Sequence, residues 1–161
     1  ADALAALRWL SRMATGEVEG YDIRPVAPAL REQLRSPDEQ MASLAVRAVR
    51  HLPGAEAQQD LANLALDPDR PAPLRAEAAR ALVDHLQQFG RHLTPTQVRL
   101  LAEQAAGAAE GDLRPHLEAV VGIVTGSPAE TSRRLLQYTP PAPQPPREPE
   151  APPKEPKAPG M

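Results

Sequence analysis

Along most of this chain, apolar residues return with the 3.6-residue period of a helix that turns one face to a core. Met41, Leu44, Ala45, Ala48, Val49 and Leu52 form one such stripe. Leu74, Ala78, Ala81, Leu82 and Phe89 form a second, and Leu113, Leu117, Val120, Val121 and Val124 a third. Weaker stripes run through Ala27, Leu30 and Leu34, through Ala57, Leu61, Leu64 and Ala65, and through Val98, Leu101, Ala102 and Ala105. No stretch alternates with period two over the length of a strand. Ser36-Pro37-Asp38-Glu39, Thr94-Pro95-Thr96-Gln97 and Ser127-Pro128-Ala129-Glu130 share one helix-start grammar: a capping hydroxyl, a proline at the first helical position and a Glu or Gln that reaches back. Asp67-Pro68 is a looser version, with a proline-rich turn after it at Pro71 and Pro73, and Asp112 is placed to cap the segment after Gly111. Pro53-Gly54, Gly90, Gly107 to Gly111 and Gly126 mark ends. These signals predict helices near 2–14, 25–35, 37–52, 55–66, 73–89, 95–106, 112–125 and 128–137.

Composition agrees with helices and removes much chemistry. Hydrophobic residues make up 42% of the chain but aromatics only 2%, so the apolar surface is mostly Ala, Leu and Val, and Ala and Leu lead the helix propensities. The net charge is −3, a poor match for nucleic-acid phosphates, which attract concentrated Lys and Arg. Both lysines, Lys154 and Lys157, lie near the C-terminus, so the helical body has no lysine for a phosphate loop or a Schiff base. There is no cysteine, hence no disulfide, thiol nucleophile or thiolate metal site. No apolar run is long enough to span a membrane. No catalytic, cofactor-binding or metal-binding residues are expected.

The helices repeat. Met41–Val49 aligns with Leu74–Leu82, with Ala45, Arg47 and Ala48 matching Ala78, Arg80 and Ala81, and Leu113–Val121 aligns more weakly. The unit Leu61-x-x-Leu64-Ala-Leu-Asp67-Pro68, a short turn, then Leu74-Arg75-x-x-Ala78-Ala79-x-Ala81-Leu82 resembles a HEAT repeat of the armadillo/HEAT class. Residues 30–49 resemble it in part, with Ala42 where the pattern has Arg, and residues 95–125 keep Arg114 but exchange the Ala-rich core for Val. The resemblance implies an all-α fold, an α-solenoid (α-α superhelix) of about three helix pairs plus flanking helices over residues 1–138. It also implies a non-catalytic protein-interaction scaffold or regulatory module, with no cofactor.

In such stacks the second helix of each pair lines a concave face. That makes Arg47, Arg50, Arg75 and Arg80 the candidate partner-binding residues, with Arg47 and Arg80 as rungs of one ladder. The competing arrangement is a solvated face of Arg–acid pairs, for example Arg80 with Asp84 one turn on. His51, His85, His92 and His116 show no ligand spacing and read as surface or helix-end histidines. The loop from Gly16 to Asp22 lacks the alternating Asp ligands of a calcium site and reads as a connection.

After Tyr138 the composition breaks: ten of the twenty prolines fall in 139–161, many at every third residue, which is the polyproline II period. Residues 139–161 are expected to be a disordered proline-rich tail, a spacer rather than an SH3 or WW ligand. At the other end, helix 2–14 has no first helix of its own and few charges, so it reads as the second half of a preceding unit. Helix 128–137, with Glu130, Arg133, Arg134 and Gln137, reads as a terminal cap. Further helices upstream in the same chain are therefore expected partners, and a targeting segment there stays open. The expected partner is a protein. A nucleic-acid-binding HEAT-like module remains an alternative, disfavoured by the acidic body. So does a non-catalytic part of an enzyme such as the HEAT-like lyases that attach bilin pigments.

Overall fold

The computed structural model describes residues 2–107 and 111–126. The expected helix at 128–137, its Ser127 start and the proline-rich tail lie outside them. Every element among the described residues is helical: α1 (Asp2–Ala14), α2 (Ala27–Gln33, entered through a 3-10 turn at Arg24–Val26), α3 (Glu39–Val49), α4 (Ala55–Leu66), α5 (Ala72–Phe89), α6 (Pro95–Gly107) and α7 (Leu113–Thr125). All seven fall on helices predicted from the sequence, and α2 to α7 coincide with the six apolar stripes. No helix among them is long and apolar enough to cross a membrane.

The starts obey capping chemistry, with one shift. At α6 the expected reciprocal pair forms: the Gln97 backbone N–H donates to Thr94 Oγ1 at 3.2 Å and the Thr94 N–H donates to Gln97 Oε1 at 3.1 Å. At α3 the cap is Asp38 rather than Ser36. Asp38 sits in an extended conformation, and its carboxylate accepts from the N–H groups of Gln40 and Met41 at 2.9 and 3.2 Å. A carboxylate also gains from the positive end of the helix, which a hydroxyl does not. Asp112 makes no side-chain cap bond at α7. Asp67 ends α4 and receives the Asp69 N–H in an Asx turn at 3.0 Å.

The helices form two rows. The odd-numbered helices touch in succession, α1 on α3, α3 on α5 and α5 on α7; each even-numbered helix lies against the odd helix that follows it, and α4 meets α6. The Arg31 guanidinium of α2 ties it to α4 through Asp60 and Glu56. The seam is alanine-rich. Ala42, Ala45 and Ala48 of α3, Ala62 and Ala65 of α4, and Ala78, Ala79 and Ala81 of α5 are buried, so helix backbones approach closely. Between them stand fully buried leucines, among them Leu61, Leu82, Leu101 and Leu117, each stabilising the fold by roughly 1.5–3 kcal/mol through loss of apolar surface to water.

Side-chain hydrogen bonds that link separate units have a characteristic span. They join residues 25 to 38 positions apart, from Arg31–Glu56 to Gln97–Gln59, and none among the described residues reaches further. Among the described residues these side-chain bonds therefore join helices close to one another along the chain and none further apart.

At the start of the stack, α1 buries Leu7 and Ser11 but leaves Trp9 52% exposed, its ring covered on one side by the Arg12 guanidinium at 4.9 Å.

Candidate functional site

The four arginines singled out by the repeat do not share one environment. Arg47 and Arg50 leave α3 toward α5. Arg47 Nε donates to Glu77 Oε1 at 3.1 Å, while the Ser43 hydroxyl donates to the other oxygen, Oε2, at 2.7 Å. Arg50 Nη1 lies 3.4 Å from Asp84 Oδ2, and its Nε donates to His51 Nε2 at 3.0 Å. Arg80 is exposed and has no carboxylate within ion-pair distance among the described residues. The expected Arg80–Asp84 pair is not formed; Asp84 is taken by Arg50 from the neighbouring helix. Arg47, Arg50 and Arg80 line one shallow cleft of about 300 Å³ with Thr15, Val46, Glu77 and Ala81.

Arg75 stands apart. It is half-buried at the start of α5, and its Nε donates to the Ala65 carbonyl at 3.1 Å, satisfying one of the free carbonyls at the end of α4. It lines a different and larger cavity of about 750 Å³, with Leu66, Pro73, Leu100, Gln104 and Leu113. Three of the four arginines therefore form a group, and the fourth helps close a helix end.

The arginine cleft has mixed charge but a fixed geometry. Glu77 and Asp84 hold two guanidinium groups in register across the α3–α5 seam, and Arg47 still has 60% of its side chain open to solvent. Exposed pairs of this kind add little stability, commonly under about 1 kcal/mol, so their effect is on side-chain direction more than on folding. His51 contributes a neutral ring: burial and then the Arg50 charge hold its pKa below the ordinary histidine value.

His85 is not a surface residue. It is fully buried on α5, and its two nitrogens are both engaged: Nε2 lies 2.8 Å from the Leu52 carbonyl and Nδ1 lies 3.1 Å from Gln58 Nε2. A carbonyl can only accept, so Nε2 carries the proton and Nδ1 accepts from the Gln58 amide. The same amide donates to the Gly90 carbonyl at 2.9 Å, and Gln58 Oε1 accepts the His92 backbone N–H at 2.6 Å. Gly90 ends α5 at φ +79°, a conformation that turns its carbonyl back toward Gln58 at no steric cost to glycine. One buried Gln–His pair thus fastens the α3–α4 turn, α4 and the α5–α6 connection. Burial lowers the His85 pKa, against the raising effect of the Leu52 carbonyl.

Among protein families, curated proteins and solved structures, the chain finds no match. Its own geometry is what speaks to function. Among the described residues, no group of three or more His, Asp or Glu is arranged to hold a metal ion. Position 85 was readable in principle: it falls three after Leu82 and four after Ala81, on the apolar stripe of α5. Gln58 likewise falls three before Leu61. A polar residue on a stripe is the signal of a buried hydrogen-bonded pair.

Proposed function

We propose that the helical body is a non-catalytic protein-interaction scaffold, an α-solenoid of HEAT-like repeats whose Arg47–Arg50–Arg80 cleft receives an acidic segment of a partner protein. The observation that carries this reading is Arg80: it is exposed, without a carboxylate of its own among the described residues, beside two arginines already oriented by Glu77 and Asp84. A partner carboxylate that pairs with Arg80 also lies near Arg47 and Arg50 in the same cleft. Guanidinium groups suit this task because their planar fork matches a carboxylate at two points. The neighbour-only bonding of helix pairs supports the solenoid part of the reading, since stacked repeats touch only the units on either side.

The test is a quantitative pull-down with the full chain as bait, followed by binding measurements on purified partners over a salt series. Wild type should retain one or more proteins through acidic segments, with affinity falling as salt rises. The R47E/R50E/R80E variant should lose them at unchanged helicity by circular dichroism. Retention of the same proteins by the triple variant would place the working surface elsewhere.

A further inference from the structure

We propose that the outer face of α1 is a self-association surface, on which a second copy of this chain docks its own α1 antiparallel about a two-fold axis. Its residues are not those of the arginine cleft, and the inference does not depend on the scaffold reading.

The case begins with what α1 turns inward. Leu7 and Ser11 are buried, and Leu10, Met13 and Ala14 pack against the core. The helical period then fixes the opposite side. Asp2, Ala5, Trp9 and Arg12 fall on one stripe there, and all four are exposed. Tryptophan is highly buried on average, yet the one tryptophan of this chain stands on that stripe with half of its surface in water.

The stripe is self-complementary. Positions 2 and 12, and positions 5 and 9, lie equally far on either side of residue 7. When two identical helices meet antiparallel about a two-fold axis beside residue 7, each position faces the one at the same distance on the other side, and every contact is made twice. Asp2 of each copy then meets Arg12 of the other, and each Trp9 ring lies over the small Ala5 side chain of the other. Opposite charges and a large side chain against a small one are what this pairing needs. A face shaped for an unrelated protein need not mirror itself in this way. Asp2 is in the first turn and Arg12 in the last, so the same packing sets the positive end of each helix dipole beside the negative end of the other.

Arg12 is already oriented for this role. Its guanidinium lies over the Trp9 ring at 4.9 Å, and its Nε donates to Glu17 Oε2 at 3.1 Å. Its two Nη nitrogens make no hydrogen bond among the described residues, which leaves them for a carboxylate. Two helices of 13 residues make a small interface, so the pair is a weak dimer rather than an obligate one.

The experiment follows the full chain by sedimentation velocity and by Trp9 fluorescence from about 1 μM to about 1 mM. The weight-average mass should climb from that of one chain toward that of two, and Trp9 emission should move to shorter wavelength over the same range. Trp9→Ser should weaken association about a hundred-fold at unchanged helicity, since both rings leave the interface. Tyr21→Ser, at an exposed aromatic outside α1, should change nothing. Asp2→Lys and Arg12→Glu should each stay monomeric alone, because each sets like charges opposite one another twice. An equimolar mixture of these two variants should associate, because every opposed pair is then acid with base. Wild type that stays monomeric throughout overturns the proposal and leaves the face to a different protein. So does association that survives Trp9→Ser, that is lost with Tyr21→Ser, or that is no tighter in the mixture than in either charge variant alone.

Discussion

Replacing Gln58 by Leu is the sharpest test of what holds the middle of this protein together. The substitution puts an apolar side chain at a fully buried position and removes both halves of the amide. Three groups lose a partner: His85 Nδ1, the Gly90 carbonyl and the His92 N–H, at 3.1, 2.9 and 2.6 Å in the native protein. A buried group stranded without a partner costs roughly 1–3 kcal/mol, but Gly90 and His92 lie near the surface and recover water, so a net loss of about 3 kcal/mol is expected. For a folded body of this size that corresponds to a melting temperature about 10 °C lower. Gln59→Leu is the matched control: Gln59 donates a longer bond, 3.3 Å, to the His92 carbonyl and is only half-buried, so it should cost less than about 1 kcal/mol. Urea denaturation of the full chain followed by circular dichroism reads both variants. His85→Leu and the Q58L/H85L double variant complete a cycle, and the double should cost clearly less than the sum of the singles because the two residues share one interaction. If Gln58→Leu is no worse than Gln59→Leu, or if the cycle is additive, the buried pair is not the fastening described above.

Stability should also fall on acidification in a particular window. His85 and His51 both have folded-state pKa values below the ordinary 6.5, each chiefly through burial, so the unfolded chain takes up protons first. Their contribution is complete above about pH 6.5 and is lost as pH drops through the folded values; urea midpoints at pH 7.5 and 5.5 should show the loss, and His85→Leu should flatten it. A midpoint that does not move between those values contradicts the assignment. At the start of α3, Asp38→Ala should cost about 1 kcal/mol and Ser36→Ala under about 0.5 kcal/mol, which equal losses would refute.

Much of the fold could be read from spacing alone, and the reasons are local. The Ala- and Leu-rich stripes of α3 and α5 and the Leu- and Val-rich stripe of α7 state which face is inward without reference to any other residue, and the Thr94–Gln97 pair is complete within four positions. The α3 start was less legible because Ser36 and Asp38 both make side-chain bonds there. Ser36 Oγ accepts the Asp38 N–H at 3.2 Å, so each looks like a cap from sequence, and only the extended backbone at Asp38 decides between them. The candidate site was partly legible. The alignment of Arg47 with Arg80 placed both on one face, but it could not say that Asp84 would prefer Arg50 on the neighbouring helix to Arg80 on its own. Nor could it separate Arg75, whose inward turn depends on where α4 ends. The Gln58–His85 pair was hidden for another reason: its partners come from four segments, and no single stretch of sequence contains more than part of it.

The neighbour-only hydrogen bonds have a mechanical consequence. A pull along the described helices passes through their junctions in turn, with no side-chain hydrogen bond among the described residues to bypass a weak one, so the weakest interface sets the yield force. That interface is the first. The α3–α5 seam is bridged by Arg47, Arg50 and Ser43, and the α4–α6 seam by Gln97 reaching the Gln59 carbonyl and Asn63. Among the described residues, the side-chain hydrogen bonds made by α1 and the turn after it, through Arg12, Thr15 and Glu17, all stay within that segment. Apolar contact alone holds α1 to α3, and such contact vanishes within a few ångströms of separation. Stretched in an optical trap, the protein should yield α1 first, as a short low-force step, while the hydrogen-bonded remainder stays folded to higher tension.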